Sequence, residues 1–265
     1  MKPFRLCFAA SLLLSCSIAP ATAASFEETE SGILEAFSKV KSMTADFMMD
    51  VPLDEQLGNI KLAIAGDLAL LVEGDTSQFL QHVLAKAELP DGVQEMKMTM
   101  VCDGAFLDIL NEGMGEASVV KTRLANHHDF PPPGAKLLLE FIKRDFENFE
   151  VLAEAQVDGK TCHVIEGSMG EDAPGNKIRL YFDKETGAPV KMELFEESSA
   201  EPAILRYSNI VINPELKADL FVFTAPDGVE IMDLTQEPEP ATEPGAEPDA
   251  EDTPVEEAPA PPPAE

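Results

Sequence analysis

The sequence has no tryptophan and only two tyrosines among its 265 residues. Cations are scarce too: 19 Lys and Arg stand against 49 Asp and Glu, for a formal net charge of −30. A chain so short of basic groups cannot neutralise phosphates, which excludes nucleic acid as a partner. It also argues against an electrostatic hold on anionic lipid head groups. Catalytic motifs are missing as well. There is no Gly-x-Ser-x-Gly, no His-Glu-x-x-His and no phosphate loop. Acids are everywhere, but none sits in a motif that would give it a role. The chain is therefore read as non-enzymatic, with no cofactor and no metal.

Histidine and cysteine are equally sparse, at four each. His127-His128-Asp129 has no second cluster to complete a metal site, and adjacent strand residues point to opposite faces. The same divergence separates the thiol and imidazole of Thr161-Cys162-His163, so they do not form a nucleophile and its base. Long apolar runs are absent beyond the first residues, so no transmembrane span is expected.

The two ends differ from the rest. Residues 1–24 combine Lys2 and Arg5, an apolar run from Leu6 to Ile18, and the small residues of Ala21-Thr22-Ala23 after Pro20, which is the plan of a secretory signal. Two processing routes stay open: cleavage after Ala23, or acylation of Cys16, since Leu13-Leu14-Ser15-Cys16 resembles a bacterial lipobox. Residues 236–265 hold 10 acids, 9 prolines and no Lys or Arg. Such a segment cannot offset its ordering entropy by burial, and reads as a solvated acidic tail or spacer, or else as a docking segment for a basic partner or a cell-wall spacer. Residues 26–235 carry the remaining −22.

Between the ends, Ser25 can cap a helix that runs toward Ser42 with Ile33, Leu34, Phe37 and Val40 on one face. From Thr44 the period becomes two, as in Ala45, Phe47, Met49 and Val51, in Ile60, Leu62 and Ile64, and in Met96, Met98, Met100 and Cys102. It continues in Ile178, Leu180 and Phe182 and in Val190, Met192 and Leu194, which predicts an antiparallel sheet with one apolar face. Asp103-Gly104 and Asp158-Gly159 predict hairpins with type I′ turns, and Lys184-Glu185-Thr186-Gly187 a third hairpin. Residues 79–89 fit strand or helix and are taken as strand because strands flank them. Pro131-Pro132-Pro133-Gly134 opens a second helix, read over Ala135–Phe149 through Leu138, Phe141, Ile142 and Phe146. The fold class is α+β.

Methionine is concentrated on these strands, and its flexible thioether suits surfaces that accept variable apolar shapes. Two readings of the apolar face stay open: an ordinary packed core, or a concave cavity lined by Phe47, Met49, Leu62, Ile64, Met96, Met98, Met100, Phe106, Leu138, Phe141, Leu180, Phe182, Met192 and Leu194. Cys102 and Cys162 would be two mature cysteines in an oxidising compartment, where a disulfide forms only if the fold brings them together.

Several segments resemble the LolA-like superfamily of lipoprotein carriers and their LolB-like acceptors. They are Val40-Lys41-Ser42-Met43-Thr44-Ala45-Asp46-Phe47 at the first helix-to-strand join, residues 180–192 at the late hairpin, and residues 206–214. Residues 220–231 resemble the closing strand and its Pro-x-Gly-Val turn. The resemblance covers residues 25–235 as one domain. It implies an incomplete, strongly curved antiparallel β-barrel with helices covering the concave face. It further implies a periplasmic protein of a Gram-negative-type bacterium, soluble or lipid-anchored to the outer membrane. Such a protein would shelter the acyl chains of a lipid or lipoprotein. The chain departs from the carriers where Glu73-Gly74-Asp75-Thr76-Ser77 replaces an Arg-Pro-rich strand, and their cavity arginine has no counterpart. The alternative is an envelope interaction or sensor module of the same fold, with a filled core, no lipid cargo and a protein partner.

Overall fold

The structure is a computed structural model that describes residues 24–52, 61–74, 76–89, 92–113, 115–126, 131–170, 173, 175–197, 199 and 201–235. The signal segment with Cys16, the acidic tail and His127-His128-Asp129 lie outside the described residues.

Helix α1, Phe26–Phe37, begins with the expected cap. Ser25 Oγ accepts the Glu28 N–H at 3.2 Å, and the Glu28 carboxylate accepts the Ser25 N–H at 3.2 Å. Six strands follow: β1 Ser42–Val51, β2 Lys61–Glu73, β3 Thr76–Leu89, β4 Gly92–Cys102, β5 Phe106–Glu112 and β6 Ser118–Arg123. Residues 79–89 are thus strand, as taken from their neighbours. Helix α2, Ala135–Asp145, precedes β7 Glu147–Val157, β8 Lys160–Ser168, β9 Lys177–Asp183, β10 Pro189–Phe195, β11 Ala203–Ile212 and β12 Ile231–Asp233.

The second helix is shorter than its apolar spacing suggested. Phe146 is already extended, and Phe149 belongs to β7, where its ring stacks on Phe26 at 4.7 Å. The Asp158-Gly159 turn has positive φ at both residues, 50° and 80°, as type I′ requires. The Asp103-Gly104 turn does not. Only Gly104 is left-handed, and the Asp103 carboxylate caps a three-residue loop by accepting the Ala105 and Phe106 N–H groups at 3.0 and 2.9 Å.

The twelve strands among the described residues form one sheet in the order β12-β6-β5-β4-β3-β2-β1-β11-β10-β9-β8-β7. Every pairing is antiparallel except β12 with β6. The order is linear, with β12 and β7 at its two edges, so the barrel is not closed. Yet one buried cluster gathers side chains from β1 to β5, from β8 to β11 and from both helices. A flat sheet of that width could not do this; the sheet curves around the helices. A smaller cluster of Cys162, Val164, Tyr181 and Val190 packs on the other side. After β11 the chain makes a short 3-10 turn against β3, with Phe221 buried at 2 % exposure, before pairing with β6.

Candidate apolar-ligand site

Strand register arranges the concave face in rows. One row runs Met43, Leu70, Phe79, Cys102 and Leu107 across β1 to β5, and all five are at most 1 % exposed. Helices α1 and α2 lie over this end. A Cβ at Gly134, which opens α2, would meet Leu70 Cδ2 at 2.9 Å. Moving along the strands, the rows lose their cover. Phe47, Gly66, Val83 and Met98 form a row that is buried in β1 and half-buried by β4. Met49, Ile64, Ala85 and Met96 come next, and all but Ala85 are half-buried. Val51, Leu62 and Ala87 come last, all half-buried.

The residues expected to line one cavity therefore divide. Phe47, Met100, Leu180, Phe182 and Met192 are packed core beneath the helices, and Leu138 joins that core from α2. Met49, Leu62, Ile64, Met96, Met98 and Leu194 are half-buried, and Met49, Ile64, Met98 and Leu194 lean against the rim of that core. Phe141 is half-buried on α2, under the Arg144 guanidinium at 4.9 Å. Phe106 is a correction. Leu107 turns inward instead, so Phe106 faces the convex side, with Lys121 Nζ at 5.5 Å and Arg123 Cζ at 5.7 Å from its ring centre.

The cysteine pairing is corrected as well: Cys102 and Cys162 are free and buried. They belong to separate clusters on opposite faces, with six strands between β4 and β8 in the sheet. Burial pushes the Cys102 thiol up to about 11, so it is inert at neutral pH. Burial also raises the Cys162 thiol and lowers the His163 imidazole. The two alternate along β8 and do not face each other.

Two polar side chains sit in the concave core, Gln81 and Tyr207, and nothing around Gln81 in the sequence marks it as core. Both amide atoms of Gln81 and the hydroxyl of Tyr207 are buried with no hydrogen-bond partner among the described residues. On the convex side the polar groups are satisfied. Glu193 accepts from Tyr181 Oη at 2.8 Å and Arg179 Nη1 at 3.3 Å, and pairs with Lys191 at 2.5 Å. Burial would raise its carboxyl, but these bonds outweigh it and hold the group below the usual range.

Two open grooves flank α2. The larger, 580 Å³, runs between α2 and residues 124–125, lined by Leu124, Pro132, Lys136, Leu137, Phe141 and Arg144 among others. The second, 350 Å³, lies between α1, α2 and the β2–β3 turn. Of the larger groove's lining the sequence points only to Phe141 as a site residue, and it places that ring in the concave cavity instead. No helix among the described residues is long and apolar enough to cross a membrane, and no cluster of His, Cys, Asp and Glu among them could hold a metal ion.

No family model matches the chain, and no curated protein matches it. Solved structures similar to it include that of MucB, at 16% identity over 74% of this chain and 63% of MucB, with a TM-score of 0.43. The chain thus spans less than two thirds of MucB. An uncharacterized conserved protein from Thermus thermophilus is similar at 11% identity over 77% of this chain and 99% of that one, with a TM-score of 0.46. The Mycobacterium tuberculosis lipoprotein LppX is similar at 12% identity over 74% of this chain and 100% of its own, with a TM-score of 0.38. The fold itself, an unclosed, curved antiparallel sheet with both helices on its concave face, is the incomplete barrel that the resemblance to the LolA-like superfamily implied.

Proposed function

We propose that this is an exported, non-enzymatic binding protein of the cell envelope that shelters an acyl chain on the uncovered end of its concave face. One observation carries the reading: the apolar rows continue beyond both helices through Met49, Ile64, Leu62, Met96 and Met98, where they are half-buried instead of sealed. Each methylene that such a surface takes from water contributes about 0.8 kcal/mol. Methionines at positions 49, 96 and 98 can shift rotamer to follow a flexible chain at little cost. The acidic exterior does not oppose this, since the contact is with the apolar chain. The test is native mass spectrometry and lipid extraction of the protein purified from its envelope. Co-purifying acyl lipid, displaced by a long-chain fatty acid, supports the reading; a lipid-free protein that binds no acyl probe overturns it.

A second reading, a partner-binding module, is favoured by the filled core under α1 and α2. Envelope pull-down with the chain, with and without residues 236–265, distinguishes it from the first.

A further inference from the structure

We infer that the acidic C-terminal extension folds back in cis and docks in the groove along α2, with residues 236–244 as the docking segment. Four observations converge.

The first is where the described chain ends. Strand β12 runs parallel to β6, with Asp233 opposite Lys121, and the Leu234 N–H donates to the Lys121 carbonyl at 2.8 Å. The pairing stops there, where the Asp233 carboxylate accepts the Thr235 N–H and hydroxyl at 2.9 and 2.6 Å and turns the chain, three residues of β6 register short of Leu124. Leu124 and Ala125 form one wall of the 580 Å³ groove. The extension therefore starts on the strand that leads into the groove wall, within a few residues of it.

The second is the chemistry of the groove. Leu124, Pro132, Leu137 and Phe141 give it an apolar lining, and Lys136 and Arg144 stand beside it. Arg144 is fixed there, its Nη1 donating to the Ala125 carbonyl at 2.8 Å and its guanidinium lying 4.9 Å from the Phe141 ring centre. Among the described residues Glu140 is the only acid in the lining, so the charge sums to +1, on a domain whose total is −22. The groove is a basic island in an acidic surface.

The third is the chemistry of the segment. Gln236-Glu237-Pro238-Glu239-Pro240 alternates acid and proline. In an extended chain alternate side chains face opposite ways. Glu237 and Glu239 then face Lys136 and Arg144 while Pro238 and Pro240 face the apolar lining. Glu243 and Pro244 repeat the pairing.

The fourth is length. Helix α2 has 11 residues, about 16 Å at 1.5 Å per residue. Nine residues of extended chain reach about 30 Å at 3.3 Å each, enough to cross from β12 and run the length of α2. Tethering makes even weak ion pairs effective, because the segment's local concentration is high.

The test uses the chain from residue 25 to residue 265 with a benzophenone amino acid in place of exposed Glu140, and separately in place of exposed Ala125. Irradiation followed by digestion and mass spectrometry should link both positions to residues 236–244 of the same chain, at any protein concentration. The yield should fall several-fold with Glu237→Lys and Glu239→Lys together, and in about 0.5 M salt, where screening shortens the Debye length to about 4 Å. A circular dichroism spectrum matching the unsubstituted protein qualifies each probe variant, and either position alone decides the result. Absence of tail cross-links overturns the inference. So do cross-links that grow with protein concentration, which mean a second copy, and cross-links indifferent to charge reversal.

Discussion

The ring of Phe47 on β1 lies over Gly66 on β2: a Cβ at position 66 would stand 2.5 Å from Phe47 Cζ. It would also stand 1.9 Å from the His82 carbonyl oxygen on β3, which is backbone and cannot swing away. Glycine at this position lets a bulky ring cross the tightly curved centre of the sheet. Gly66→Ala is therefore expected to destabilise the domain by about 3 kcal/mol, at the upper end of the usual cost of overpacking. Urea unfolding followed by far-ultraviolet circular dichroism measures it; a change within experimental error would mean that the strand relaxes freely there.

The buried hydroxyl of Tyr207 has no partner among the described residues, so it has lost hydration and gained nothing. Tyr207→Phe should raise stability at neutral pH by about 1 kcal/mol. The ring contact with Phe47, edge-on at 6.5 Å between centres, is kept in that variant. Loss of stability in the same urea assay would show that the hydroxyl has a partner in solution.

Alkaline pH should unfold the domain through Cys102 and Tyr207. Burial raises the Cys102 thiol from 9.0 to about 11 and lifts the Tyr207 phenol from 10.0. A group with a raised folded-state value contributes its full stability below the unfolded value and loses it as pH climbs through the folded one. For Cys102 the loss runs from about pH 9 to pH 11 and amounts to about 3 kcal/mol. Tyr207 adds to it from pH 10 upward. Unfolding midpoints at pH 8 and pH 10.5 should differ clearly in the natural sequence and less in Cys102→Ala combined with Tyr207→Phe. Equal pH dependence in both proteins would remove these groups from the account.

How much of this was legible beforehand depended on which dimension of the sheet a residue reports. A period of two tells which side chains share a face, and it placed Phe47, Met100, Leu180 and Met192 correctly on the concave one. It does not tell how far along a strand the helical cover reaches, so Met49 and Met43 read alike although one is half-buried and the other sealed. Where two apolar residues adjoin, alternation is ambiguous, and Phe106-Leu107 resolved the opposite way from the expectation. Phe146 and Phe149 mimicked a continuing helix because their burial is set by α1 and by Gly167, where a Cβ would meet the Phe149 ring at 2.5 Å. Gln81 was invisible, since nothing in its neighbourhood marks a polar residue as core.

On the convex face, Glu193 ties Tyr181, Arg179 and Lys191 together while only 8 % exposed. Its carboxyl is held low, so its contribution is present above the unfolded value near 4.5 and is lost as pH falls through the folded one. Glu193→Gln should cost about 2 kcal/mol at pH 7, and the difference from the natural protein should shrink as pH falls below 4.5. A gap that persists at low pH would assign the loss to packing instead of charge.

The concave face offers the sharpest separation between stability and binding. Leu70 lies under α2 with no exposure, whereas Ile64 and Met98 are half-buried toward the uncovered end. A charge at Leu70 has no water to retain and no partner, so Leu70→Asp should prevent folding or cost upwards of about 4 kcal/mol. Ile64→Asp or Met98→Asp keeps a route to solvent, and each should cost about 1 kcal/mol while abolishing acyl-probe binding. Measuring unfolding and fluorescent fatty-acid binding on the same three variants places the site. If Ile64→Asp and Met98→Asp fold and bind as the natural sequence does, the uncovered rows do not hold the ligand, and the acyl chain would have to enter beneath the helices.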